Sequence, residues 1–104
     1  MRLITKEIEK RLEKYPLYSQ EDKGENAEVL CKFFTPIGSW TWYVLEAQKS
    51  KEVGYEFFGI VVNGYGEREY GYFTLHELEE IRLPWGLKIE RDLYFSPTKV
   101  KNLK

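Results

Sequence analysis

Residues 63–66 read NGYG and lie between two stretches of extended character, Tyr55–Val62 and Arg68–Phe73. Asn and Gly tolerate the positive φ angles of tight hairpins, so this tetrapeptide folds the chain back on itself. An antiparallel pair at this point commits the chain to a sheet. Upstream, Glu28–Thr35 and Ser39–Ala47 form two more extended stretches, joined by a short connection through PIG, as in an antiparallel hairpin. QKSKEVG then leads from the second stretch to the third. The chain has three Trp, eight Tyr and six Phe in 104 residues, a composition that suits strands.

Helical signals flank this block. Ile4, Ile8, Leu12 and Tyr15 recur at intervals that place them on one helical face, with Thr5 as cap and Pro16 as terminator. In FTLHELEEI, Thr74 and Glu77 have the spacing of a capping box, and Phe73 and Leu78 that of a hydrophobic staple. Leu75, Leu78 and Ile81 form the inward stripe of a short helix that ends by Pro84. In SPTKVKNL, Ser96 as cap and Pro97 at the first helical position predict a terminal helix with Val100 and Leu103 turned inward. The polar stretch SQEDKGENA, residues 19–27, reads as a loop and the most mobile segment. The expected architecture is a single α+β domain over residues 1–104. It is a mainly antiparallel sheet of four to five strands with an N-terminal helix, a short inserted helix and a short C-terminal helix.

Charge and cysteine content narrow the function classes. Sixteen basic and 17 acidic residues leave a net charge of −1, without the basic surplus by which nucleic-acid binders neutralise phosphates. The large acidic surplus of a DNA mimic is missing as well. Cys31 is the only cysteine, so no intramolecular disulfide forms, and its apolar neighbours predict a buried, reduced thiol. One Cys and one His do not make a zinc finger or ribbon. No apolar run reaches membrane-spanning length, and MRLITKEIEKR is amphipathic, unlike a signal peptide. A cytoplasmic protein without cofactor, metal or membrane association is expected.

The blocks KFFTPIGSWTWYVLE, FFGIVV, GYFTLHELEEI and IERDLYFSP together resemble a bacterial family known as domain of unknown function 2958. The resemblance extends from about Leu3 to the final helix. Such proteins occur on plasmids, phages and other mobile elements, so the resemblance implies an accessory or anti-defence role. It supplies no activity and no catalytic residues.

Three constellations compete for a functional role. Cys31 and His76 are a nucleophile and a base by residue type, but one falls inside a strand and the other on an external helix turn. The consecutive charges Glu90, Arg91 and Asp92 offer paired carboxylates for acid–base chemistry or a magnesium ion; the structural alternative is a turn anchor or a pair across the sheet. GYGEREYG lacks the strand-to-helix context and lysine of a phosphate loop and reads as a hairpin. Aromatic faces remain: Trp40, Trp42 and Val44 on one side of a strand, and Thr41, Tyr43 and Leu45 on the other. Both sides being apolar marks a central strand, and one layer of helices cannot cover every aromatic of such a sheet.

The expected function is a non-enzymatic module that binds a protein partner, with Trp40, Trp42, Tyr43, Arg91, Asp92 and Tyr94 as binding candidates. Single-stranded nucleic-acid binding through an aromatic sheet face is the first alternative. A small hydrolase or nucleotide-processing enzyme using Glu90 and Asp92 is the second. An exposed aromatic cluster rimmed by Lys and Arg would favour nucleic acid, and a mixed polar rim a protein partner. A concave pocket enclosing Glu90 or Asp92 would favour catalysis.

Overall fold

A computed structural model describes residues 1–103 of the chain. Helix α1 (Lys6–Glu13) begins where the Thr5 hydroxyl accepts the Ile8 N–H at 3.3 Å. It ends ahead of Pro16, with Ile8 and Leu12 buried and Ile4 and Tyr15 packed beside them. The predicted stripe is therefore the face that α1 buries.

The strands are β1 (Glu28–Val29), β2 (Cys31–Phe34), β3 (Thr41–Ser50), β4 (Gly54–Val62), β5 (Arg68–Thr74), β6 (Glu90–Arg91) and β7 (Thr98–Lys99). Five of them form an antiparallel sheet in the order β5-β4-β3-β2-β6, while β1 and β7 form a separate antiparallel ribbon. At the NGYG turn, Asn63 Oδ1 accepts the backbone N–H groups of Tyr65 and Glu67, at 2.9 and 3.1 Å. Helix α2 (Leu75–Glu80) carries the expected cap: the Thr74 hydroxyl accepts the Glu77 N–H at 3.0 Å. Phe73 and Leu78 are both buried. The helix stops earlier than Pro84 requires, because Ile81 is already extended.

Two expectations need correction. The stretch Glu28–Thr35 is not one strand: it breaks at Leu30, whose N–H donates to the Val44 carbonyl at 2.8 Å. Glu28 and Val29 leave the main sheet to pair with Lys99 and Thr98, which lets Val29 pack with Ala27 and Val100 in a second apolar cluster. The terminal helix is reduced to a 3-10 turn, Val100–Asn102. Pairing with β1 claims Thr98 and Lys99, residues that the helix would have needed for its first turn. Val100 and Leu103 still turn inward, as their spacing predicted.

The sheet has a core on each face. On one, α1 and α2 cover Phe33, Trp42, Val44, Ala47, Phe57 and Phe73. On the other, Leu45 and Ile60 pack under the β1–β7 ribbon, with Tyr43, Phe58 and Phe95 alongside. Strand β3 is central and contributes to both.

A β-bulge in β3 makes this double role possible. Val44 pairs with Gly59 and Glu46 pairs with Phe58, so Leu45 is an extra residue without a partner. A bulge sets two successive side chains on the same side of a strand. Before it, Trp42 and Val44 join the helix-side core; after it, Ala47 does. Leu45 and Glu46 both fall on the ribbon side. Gly59 is required opposite the bulge: a Cβ there would lie 1.8 Å from the Tyr43 carbonyl oxygen. No side-chain rotation relieves a clash with backbone.

Candidate functional site

The bulge places an ionisable group in a row of aromatic side chains. Glu46 pairs with Phe58, and Phe58 with Tyr72; one rung on, Tyr43 pairs with Ile60 and Ile60 with Tyr70. Cross-strand partners on one face stand side by side. Glu46, Phe58 and Tyr72 accordingly form a transverse row on the ribbon side, with Tyr70 next to it. The Phe58 ring stacks on Tyr70 with centroids 5.9 Å apart and planes 12° from parallel, and it tilts against Tyr72 at 5.0 Å. The β1–β7 ribbon leaves this end of the sheet open: Tyr70 and Tyr72 are more than half exposed.

The segment expected to be the most mobile closes one side of the site. Glu46 is only 2% exposed, and its two carboxylate oxygens accept the backbone N–H groups of Tyr18 and Gln20 at 2.7 and 2.8 Å. Gln20, also buried, donates from Nε2 to the carbonyls of Glu28 and Leu45 and accepts the Glu28 N–H on Oε1. These bonds tie the loop to β1 and β3. Tyr18 sits at a left-handed φ of 73° and remains largely exposed. Together, Tyr18, Gln20, Glu21, Glu46, Phe58, Tyr70 and Tyr72 surround most of a cavity of about 490 Å³, a volume in the range of ligand pockets. The Tyr72 phenol is pushed above its ordinary pKa by burial first, then by the neighbouring Tyr18 hydroxyl and the charges of Glu46 and Glu21.

The six predicted binding residues are dispersed. Trp42 is 7% exposed and belongs to the helix-side core, whereas Trp40, stacked on it at 6.0 Å, is 44% exposed. Tyr43 packs on Phe95 on the ribbon side of the sheet, and the Lys32 ammonium lies 5.8 Å from its ring centroid. Lys32 also pairs with Asp92 at 3.5 Å, which brings Tyr43 and Asp92 into one neighbourhood. Arg91 donates to the carbonyls of Arg2 and Leu3, at 2.9 and 2.6 Å, and so anchors the N-terminal segment. Tyr94 is 96% exposed, on a turn in which its N–H donates to Asp92 Oδ1.

Neither catalytic pairing is assembled into one cavity. Glu90 lines a cavity with Leu3, Leu78 and Lys88, while Asp92 lines a different one with Arg11, Cys31 and Arg91. Cys31 is buried in β2, and desolvation pushes its thiol pKa up to about 12. His76 lies on the exposed side of α2, within 3.1 Å of Glu80. Among the described residues, no group of three or more His, Cys, Asp or Glu side chains is arranged to hold a metal ion. No helix there is long and apolar enough to cross a membrane.

Sequence reasoning missed Glu46, Gln20, Tyr18 and the pocket they share. One signal was present: Glu46 is a lone carboxylate inside the otherwise apolar run WYVLEA. A charge in such a run needs a specific partner or a specific use. A family model described as a protein of unknown function (DUF2958) matches residues 3–101. No curated protein and no solved structure matches the chain.

Proposed function

The chain belongs to the DUF2958 family of proteins of unknown function, and from that premise we propose that it is a non-enzymatic module that binds a protein partner. The observation that carries this reading is the open end of the sheet, where Tyr18, Tyr70 and Tyr72 stand exposed around a pocket floored by Phe58 and Glu46. Tyrosines supply large, rigid contact area with a polar tip, and they are enriched where interfaces concentrate their binding energy. The charged residues that line the pocket itself are carboxylates, Glu21 and Glu46, which supports a protein partner over phosphate-bearing strands. Arg68 shares the Tyr70–Tyr72 face by strand alternation, and the single-stranded nucleic-acid alternative would need a longer basic track than this one side chain begins. Glu90 and Asp92 each line a cavity, the sign expected of the hydrolase alternative, but the cavities are separate, so the pair of carboxylates that acid–base chemistry would use is not brought together. A cytoplasmic setting fits a chain whose single cysteine has no disulfide partner.

The test is site-specific photo-crosslinking. With a benzophenone side chain at position 70, a discrete crosslinked protein should form in lysate of the source cell. Excess unlabelled wild-type chain should compete it away, and a Tyr70→Ser/Tyr72→Ser double variant should not. The proposal fails if no discrete adduct forms, or if the double variant competes as well as wild type.

A further inference from the structure

We propose that the pocket over Glu46 receives a guanidinium group, presented as an arginine side chain of the protein partner. This inference rests on the reading of the open sheet end as a protein-binding surface.

Three features of the pocket define the chemistry of its occupant. The first is an unbalanced charge. Burying a carboxylate is costly unless it is paired and hydrogen-bonded, yet the ion pairs among the described residues involve Glu7, Glu9, Glu80 and Asp92, and none reaches Glu46. The second is unused acceptor capacity. Each Glu46 oxygen takes one backbone N–H, and a carboxylate has about four acceptor sites. The third is the wall. Phe58, Tyr70, Tyr72 and Tyr18 line the cavity, aromatic rings being groups that attract cations, and Glu21 adds a second carboxylate at the side.

A carboxylate floor disfavours anions, and an apolar occupant would leave its remaining acceptor sites unused. Between the two common side-chain cations, the guanidinium fits better. It is planar and weakly hydrated, stacks on aromatic faces, and offers a fork of N–H donors to a carboxylate. An ammonium is strongly hydrated and has no flat face to stack against rings such as Phe58 and Tyr70.

The experiment titrates ¹⁵N-labelled protein with N-acetyl-arginine methylamide, its citrulline counterpart and its lysine counterpart. Citrulline preserves the planar shape and removes the charge. The arginine probe should give saturable shifts at the amides of Tyr18, Gln20, Glu46 and Tyr72, with citrulline at least tenfold weaker and lysine also weaker. Glu46→Gln should abolish the arginine response. Because that change touches the loop tether, Tyr70→Ser, at an exposed position, provides a second arm that should weaken the response severalfold without altering the fold. Citrulline or lysine binding as tightly as arginine overturns the assignment, as does the absence of saturable shifts. The photo-crosslink at position 70 separates the two claims. An adduct that persists undiminished in excess arginine probe defeats this inference alone, whereas the absence of any adduct defeats the reading beneath it.

Discussion

The Glu46 carboxylate accepts the backbone N–H of Gln20 at 2.8 Å, and the Gln20 side chain donates back to the carbonyl of Leu45, the residue preceding Glu46, at 2.7 Å. This exchange joins the 19–27 loop to the central strand at the base of the proposed binding pocket.

Removing the carboxylate strands the N–H groups of Tyr18 and Gln20. An unsatisfied buried donor costs about 1–3 kcal/mol in desolvation, and of the two the Gln20 N–H is buried and the Tyr18 N–H partly so. Glu46→Ala is expected to destabilise the protein by about 3 kcal/mol, and Glu46→Gln, which keeps one acceptor oxygen, by about half of that. Urea denaturation of the three proteins measures both. Equal stability of wild type and Glu46→Ala would show that the tether does not contribute.

Gly59 lies opposite the bulge, paired with Val44. Gly59→Ala drives a methyl group into the Tyr43 carbonyl and should cost about 3 kcal/mol, the upper end for overpacking. Gly71→Ala, next to Gly59 across the sheet on β5 and with open space around its Cβ position, should be tolerated far better. Thermal unfolding of the pair isolates the effect of the bulge; similar midpoints for both variants would contradict it.

The stacked tryptophans should separate by energy. Trp42→Ala empties a buried site and is expected to cost about 3–5 kcal/mol. Trp40→Ala loses little more than the ring contact, about 1 kcal/mol. Denaturant midpoints report both losses. If Trp40→Ala proved the costlier change, the assignment of core and rim would be reversed.

Alkaline pH should weaken the fold in a defined window. Burial pushes the Cys31 thiol from 9.0 up to about 12, with Arg11 and Arg91 opposing. Burial, together with the hydrogen bond to Glu9, pushes the Tyr55 hydroxyl from 10.0 up to about 12. For both groups the folded chain favours the neutral form, so their contribution is fully present below pH 9 and lost as the pH rises through about 12. Stability measured from pH 8 to 12 should fall, and a Cys31→Ala/Tyr55→Phe variant should show a shallower decline. Native Cys31 should also resist thiol reagents at pH 8 until denaturant is added. At the acid end the sign reverses. Glu9 is held below its ordinary 4.5 by hydrogen bonds from Lys49 and Tyr55, so its contribution fades as the pH falls below that value.

Elements governed by nearest neighbours were legible in the sequence. The α1 stripe, the Thr74 cap, the NGYG turn and the apolar character of both faces of β3 follow from spacing and local backbone chemistry, and the structure has each of them. Elements decided by distant partners were not. Nothing in VLEA marks Leu45 as unpaired, because a bulge depends on what the neighbouring strand permits, and here that is Gly59. The polarity of SQEDKGENA suggested mobility, yet Gln20 and Glu46, far apart in sequence, supply each other's surroundings with partners. Thr98 and Lys99 have an adequate helical context and become a strand because β1 needs one. The candidate site depends on these distant pairings, which is why the sequence directed attention to the tryptophans instead.

The unpartnered Leu45 also bears on how such a protein can change over time. A strand in strict alternation ties the chemistry of one face to the packing of the other, since any slip moves every side chain at once. By changing phase at a single residue, β3 lets position 46 face the open side while position 47 still packs beneath the helices. What the pocket presents and what packs beneath the helices are therefore set by adjacent residues, so position 47 answers to the helix-side interior while position 46 changes only together with the Tyr18 and Gln20 donors that it holds.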